Sequence, residues 1–124
     1  MNDRNKPTGI TRILHAFGYS MQGIALAWRE EAAFRQESAL GAALIPLGLY
    51  LGASGVERAL LIAPPLLILV VELLNSAVEA AVDRTGTERN PLAGMAKDMG
   101  SAAVLLSFVL LGAVWLLVLY DHVR

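Results

Sequence analysis

One segment in the middle of the chain carries the side chains best suited to chemistry. Glu72, Asn75, Ser76, Glu79 and Asp83 occupy positions i, i+3, i+4, i+7 and i+11 of an otherwise apolar run. At about 100° per residue, this spacing places all of them on one face of a helix. Carboxylate and amide oxygens are the ligands that Mg²⁺ prefers, and Mg²⁺ typically arrives with nucleotide phosphates. This acidic stripe therefore predicts a site for phosphate chemistry.

The acidic stripe lies in a run of residues that is apolar enough to enter a membrane. A carboxylate in that environment costs several kcal/mol unless it is paired, protonated or bound to a cation. A single carboxylate could be the structural partner of an arginine on another helix. Five polar groups on one face, followed in the chain by Lys97 and Asp98, favour a functional site over separate structural roles.

Two further clusters border the apolar runs. Residues 28–37 are highly charged, and the simplest interpretation is a solvated helix face. Lys97, Asp98 and Ser101 share a face, which brings a cation, a carboxylate and a hydroxyl to one boundary, although alone they could be an interfacial cap. The sequence has no GxxxxGK-S/T loop, no protein-kinase motif and no HExxH motif, which excludes those soluble enzyme classes.

The composition indicates a membrane protein. Of the 124 residues, 56% are hydrophobic and 17% are charged; soluble domains average roughly 25% charged. The length allows one compact domain, residues 1–124. The absence of cysteine excludes disulfides and thiolate metal sites. The net charge of -1 argues against a nucleic-acid partner.

Three apolar runs are long enough to cross a bilayer, which takes about 20 residues. We predict transmembrane helices at residues 32–53, 59–83 and 97–120. The second contains Pro64-Pro65, which is expected to kink it. Three helices cannot shield a polar stripe from lipid on every side, so the predicted bundle is oligomeric.

The segment before these runs is amphipathic. In residues 9–30 apolar side chains recur at helical spacing between polar ones, a pattern suited to the membrane interface, with Gly18-Tyr19-Ser20 as a candidate break. Residues 84–96 form a polar loop. Basic residues concentrate before the first span and in this loop, which places both on the cytoplasmic side. The predicted fold is an all-α membrane protein with an N-terminal amphipathic surface helix and three transmembrane helices.

Six segments are recognisable together: residues 11–13, 18–20, 31–37, 72–79, 82–84 and 96–103. With EAAFRQE and AKDMGSAA as their most specific parts, they resemble the prokaryotic diacylglycerol kinases of Gram-negative inner membranes. The resemblance implies a homotrimer with active sites shared between subunits. It also implies transfer of phosphate from MgATP to the hydroxyl of diacylglycerol, which gives phosphatidic acid and ADP.

The resemblance also implies roles for individual residues. Glu72 would be the general base, Glu31 and Glu79 would hold Mg²⁺, and Asn75 would orient the base and the metal site. The residues that would bind ATP are Arg12, Tyr19, Glu31, Glu79, Glu88, Arg89, Asn90, Lys97 and Asp98. Those that would contact the lipid substrate are Arg12, Ser20, Arg35, Glu37, Glu72 and Ser101. Arg89 and Asn90 depart from the family pattern, which has Tyr and His there, and Met21 stands in place of an aromatic residue.

The sequence is also compatible with three other functions. An undecaprenol kinase would keep the mechanism and change the lipid. A small proton- or ion-coupled transporter subunit would also carry intramembrane carboxylates, but near the midplane. Here residues 72–83 are expected in the cytoplasmic half, beside Lys97 and Asp98. A non-catalytic scaffold would leave the acidic stripe without a purpose.

Overall fold

A computed structural model describes residues 8–86 and 88–124, and its ordered elements are all helices. The four helices are α1 (Gly9–Glu30), α2 (Ala32–Leu51), α3 (Gly55–Asp83) and α4 (Pro91–Val123). Helix α3 is central, since it packs against both α2 and α4, and α1 contacts α2 and α3. Helices α2, α3 and α4 alternate in direction. The start of α2, the end of α3 and the start of α4 therefore meet at one end of the bundle, called the site end below.

The extents of the helices differ in places from the sequence-based expectation. Helix α1 runs without a break through Gly18-Tyr19-Ser20. Helix α4 begins at Pro91, inside the segment predicted to be a loop through residue 96. The side-chain oxygen of Asn90 accepts a hydrogen bond from the Leu92 N–H at 2.9 Å. Proline suits the first helical position because its missing N–H would have no helical partner there.

The opposite end of the bundle, called the far end, is closed by capping interactions. Ser54 Oγ accepts from the Glu57 N–H at 3.2 Å, which starts α3 at Gly55, earlier than predicted. Arg58 Nε donates to the Leu49 carbonyl at the end of α2. The Glu57 carboxylate also pairs with His122 Nε2 at 2.9 Å, which ties the end of α4 to the start of α3.

One face of α3 forms the core. Leu61, Pro65, Ile68 and Glu72 stand at i, i+4, i+7 and i+11, and all four are buried. Gly48 on α2 lies so close that a Cβ there would come within 2.9 Å of Leu61 Cβ. Glu72 thus continues an apolar, close-packed face toward the site end.

Helices α3 and α4 are long and apolar enough to cross a membrane. Helix α2, with Arg35 and Glu37 in its first two turns, is not one of the two. Large apolar side chains cover the outer faces of α3 and α4, for example Leu66, Val70, Leu105, Leu106 and Val109. Such surfaces suit contact with lipid chains.

A side chain of α4 replaces a backbone hydrogen bond that proline removes from α3. Pro65 has no N–H, so the Leu61 carbonyl lacks the donor that an α-helix would supply four residues later. Trp115 on α4 donates its Nε1–H to that carbonyl at 3.0 Å. This bond joins α3 to α4 inside the apolar part of the bundle, where an unsatisfied carbonyl is costly.

We expect Trp115→Phe to lower the free energy of unfolding by about 1–3 kcal/mol, because it leaves the Leu61 carbonyl without a donor. Unfolding in mixed micelles measures this difference. Pro65→Ala is the matched control, because alanine brings back the helical N–H. In that background Trp115→Phe should cost clearly less, and an equal cost in both backgrounds would contradict the explanation.

Candidate functional site

Two carboxyl groups meet in the interior at the site end. Glu72 on α3 is 5% exposed and Glu37 on α2 is 8% exposed. The two groups are close enough to interact electrostatically. Glu31, at the junction of α1 and α2, and Glu79, two turns along α3, are close enough to interact electrostatically with Glu72. The structure therefore gathers four acidic residues, called the acidic cluster below.

Asn75 lies beside this cluster, between α3 and α4. Its Nδ2–H donates to Glu79 Oε1 at 3.4 Å. Its Oδ1 is buried without a hydrogen-bond partner, and buried acceptors of this kind call for an explanation such as an ion or water. Gly100 on α4 packs directly against this oxygen, since a Cβ at Gly100 would collide with Asn75 Oδ1.

The oxygen atoms of this site suit a cation that takes only a few ligands from the protein and the rest from phosphate and water. Among residues 8–86 and 88–124, no group of three or more His, Cys, Asp or Glu side chains could hold a metal ion. Mg²⁺ usually takes one or two carboxylates and completes its shell with phosphate oxygens and waters. Glu31, Glu79 and the orphaned Asn75 Oδ1 fit that pattern.

Gly100 was not among the residues predicted from sequence, and it provides a test of the site geometry. Gly100→Ala should reduce activity by about 10²-fold, the effect of misplacing a catalytic group by about 1 Å, because the new methyl group displaces the Asn75 amide. Gly112→Ala is the matched control: it lies in the same helix, and a Cβ there meets nothing within 4 Å. Equal activity of the two variants would contradict a positioning role for the Gly100 contact.

A second feature of the site end is a groove between the end of α3, the following loop and the start of α4. Lys97 Nζ pairs with Asp83 Oδ1 at 2.8 Å across its mouth. Gly86, with φ +108°, turns the chain out of α3. The groove is lined by Val82, Asp83, Gly86, Glu88, Arg89, Asn90, Pro91, Ala93, Gly94 and Lys97. It thus brings together the predicted nucleotide-binding residues Glu88, Arg89, Asn90 and Lys97.

Asn90 and Arg35, two of the predicted binding residues, hold helix ends in this chain. The Asn90 side chain caps α4. The Arg35 guanidinium donates from Nη1 to the carbonyls of Trp28 and Arg29, at 2.7 and 3.1 Å, and closes the end of α1. Arg35 is therefore held toward α1.

A mostly apolar groove separates α1 from α3. Ser20, Ala27 and Glu31 line one wall, and Leu73 and Ser76 belong to the other. Ser20 Oγ donates to the Ala16 carbonyl of its own helix. Glu31 of the acidic cluster lies in its lining, so a molecule with an apolar chain and a polar end would fit the chemistry of this groove.

Four predicted site residues stand apart from the acidic cluster within one chain. Arg12 and Tyr19 are exposed on α1, and Asp98 and Ser101 are exposed on α4. In the part of the chain that the structure describes, no hydrogen bond or ion pair joins them to the acidic cluster. Asp83 and Lys97 were both singled out in the sequence, but the ion pair between them was not predicted.

Comparison with known proteins adds a separate line of observation. A model of the family described as prokaryotic diacylglycerol kinase matches residues 18–119. The chain is similar to a diacylglycerol kinase of Escherichia coli, with 46% identity over 118 residues, 95% of this chain and 97% of that protein. A Pseudomonas aeruginosa diacylglycerol kinase is 53% identical over 112 residues, 90% and 91% of the two chains. One from Helicobacter pylori is 48% identical over 118 residues, 93% and 92% of the two chains.

Proposed function

The chain belongs to the prokaryotic diacylglycerol kinase family, and on that premise we propose that it transfers the γ-phosphoryl group of ATP to the hydroxyl of diacylglycerol. The products are phosphatidic acid and ADP. The structural observation that best supports this reaction is the burial of Glu72 within the acidic cluster, next to a groove with basic side chains.

The chemistry of phosphoryl transfer fits the parts of this site. The reaction needs positioned reactants, charge neutralisation on the phosphates and a group that accepts the proton of the attacking hydroxyl. Glu72 is the general base, and Asn75 orients Glu79 through its Nδ2–H. Glu31 and Glu79 would hold Mg²⁺, which would supply the charge neutralisation on the phosphates of ATP.

The two grooves suit the two substrates. Lys97 and Arg89 offer cations to the phosphates at the open end, where Glu88 also lies. The apolar groove between α1 and α3 accepts the lipid and leads its hydroxyl toward the acidic cluster. A base at this depth can meet a lipid that stays in the bilayer, while ATP arrives from the aqueous side.

The membrane arrangement completes the proposal. Helices α2, α3 and α4 span the bacterial inner membrane, α1 lies on its cytoplasmic surface, and the site end faces the cytoplasm. A homotrimer shields the acidic cluster from lipid. It also explains why Asp98, Ser101, Arg12 and Tyr19 are exposed in a single chain, because a neighbouring subunit can complete the site.

Purified protein in detergent, with labelled ATP and either diacylglycerol or undecaprenol, tests the reaction. We expect labelled phosphatidic acid, at a rate that depends on Mg²⁺. Preferential phosphorylation of undecaprenol would change the lipid in the assignment. Phosphorylation of neither lipid by folded protein would contradict the proposed function.

Sharing of sites between subunits has its own prediction. Subunits with Glu72→Gln and subunits with Lys97→Met should each be inactive alone. Mixed oligomers should regain part of the activity if a site takes Glu72 from one chain and Lys97 from another. Cross-linking confirms the mixing, and each variant refolded alone is the control. Mixed oligomers without recovered activity would place the complete site in one chain.

A further inference from the structure

The hydroxyl group of Ser76 on α3 differs from those of other helical serines. Its Oγ is shielded from water and has no hydrogen-bond partner. Ser20 Oγ donates to the Ala16 carbonyl of its own helix at 2.9 Å. Ser107 Oγ likewise donates to the Val104 carbonyl at 2.6 Å. A buried hydroxyl without a partner is costly, so the exception at Ser76 calls for an explanation.

Ser76 belongs to the lining of the apolar groove between α1 and α3. Of the described residues that line this groove, those with polar side chains are Ser20, Glu30, Glu31 and Ser76. Carboxylates can only accept hydrogen bonds, and the Ser20 hydroxyl already donates to its own helix. Among these described lining residues, Ser76 therefore has the one side-chain donor that is not engaged.

The register of α3 relates this donor to the proposed base. Ser76 follows Glu72 by four residues, so the two side chains share a helix face with their Cβ atoms about 5–6 Å apart. In diacylglycerol, the glycerol carbon next to the reacting hydroxyl carries an ester, whose carbonyl oxygen is only a few bonds from that hydroxyl. Rotation about χ1 moves the serine Oγ between staggered positions. A lipid hydroxyl at Glu72 would thus have its neighbouring ester within reach of Ser76.

We infer that Ser76 donates a hydrogen bond to the ester carbonyl next to the reacting hydroxyl of diacylglycerol. Ser76 is thus a specificity-determining residue for glycerol esters, an inference that rests on the proposed function. Undecaprenol has a hydroxyl but no ester, so this contact favours diacylglycerol over undecaprenol. A dialkylglycerol, in which ether links replace the esters, keeps the glycerol and the chains and lacks the carbonyl groups.

The comparison of these two glycerolipids tests the contact in Ser76→Ala. Loss of one hydrogen bond should raise the KM for diacylglycerol by about three- to tenfold, with kcat nearly unchanged. The KM for dialkylglycerol should be equal in parent and variant, because that lipid has no carbonyl to bind. Changes in lipid and side chain that fail to add in this way indicate a direct contact.

Ser107→Ala is the matched control, because it removes a buried serine hydroxyl that is engaged with its own helix. It should keep the parental KM for both lipids. An equal rise in both KM values for Ser76→Ala, a fall in kcat alone, or no change would overturn the inference.

Infrared spectroscopy detects the contact without turnover. Diacylglycerol with an isotope-labelled ester carbonyl, bound to the parent in an ester-free maltoside detergent without ATP, should show a carbonyl band at lowered frequency. The same band should be absent from Ser76→Ala. A parent without the lowered band, or a folded Ser76→Ala that keeps it, would overturn the inference. A folded parent that phosphorylates neither glycerolipid would instead contradict the proposed function, and the band would still decide whether Ser76 binds the ester.

Discussion

Glu72→Gln is expected to fold, to bind MgATP with nearly the affinity of the parent and to lose catalysis by at least about 10²-fold, the lower range for removal of a general base. Glu72 lies deeper along α3 than Asn75 and Glu79 and is only 5% exposed. The groove that contains Lys97 and Arg89 opens nearer the bundle end. ATP binding should therefore survive the loss of the Glu72 charge, whereas proton removal from the lipid hydroxyl should not.

Nucleotide affinity and the rate of lipid phosphorylation need to be measured on one preparation of this variant. Glutamine keeps the shape of the side chain without its charge, so a folding defect is not expected. If turnover survives while ATP binding collapses, Glu72 is a ligand of the nucleotide or its metal. Asp98 would then be the next candidate for the base.

Glu79→Gln and Glu31→Gln should each lower activity by more than about 10²-fold, because loss of a metal's charge stabilisation costs several kcal/mol. Both should also require more Mg²⁺ for half-maximal rate, since each variant removes one of the few carboxylates that can hold the ion. In Glu79→Gln the Asn75 amide also loses its ionised acceptor. A titration of the rate against Mg²⁺ concentration measures both effects.

Asp121→Asn is the matched control for these two variants. It also removes one negative charge, but from an exposed residue of α4 at the far end of the bundle. It should leave the Mg²⁺ titration unchanged. Near-parental turnover of Glu79→Gln or Glu31→Gln at ordinary Mg²⁺ would remove that residue from the metal site.

The sequence pattern was most informative where one helix carries the whole signal. The helical spacing from Glu72 to Asp83 predicted a shared face, and α3 is continuous over these residues. The all-helical fold is confirmed, as is the family. Asn90-Pro91 was a readable start signal for α4, a cap residue followed by proline, but the polar composition of the segment concealed it.

Contacts between helices could not be read in the same way. Glu37 and Glu72 lie on different helices, and nothing in their local sequence pairs them. Gly100 resembles Gly94 and Gly112 as a glycine within α4, and only the packing of α3 against α4 distinguishes it. The bond from Trp115 to Leu61 is of this kind too: Pro65 predicts an orphaned carbonyl, but not the side chain that reaches it.

Side-chain contacts hold α4 more firmly at the far end of the bundle than at the site end, so a small tilt of α4 would move its site end. At the far end, α4 is held by the Trp115 indole and by the pair of His122 with Glu57. At the site end the ion pair of Lys97 with Asp83 is exposed, and an exposed ion pair contributes little to stability. The arm from Trp115 to Lys97 is roughly 27 Å long at the helical rise per residue. A tilt of about 2° about Trp115 therefore carries Lys97 through about 1 Å, a displacement large enough to cost about 10²-fold in rate. Changes at the far end can thus act on turnover without touching either substrate.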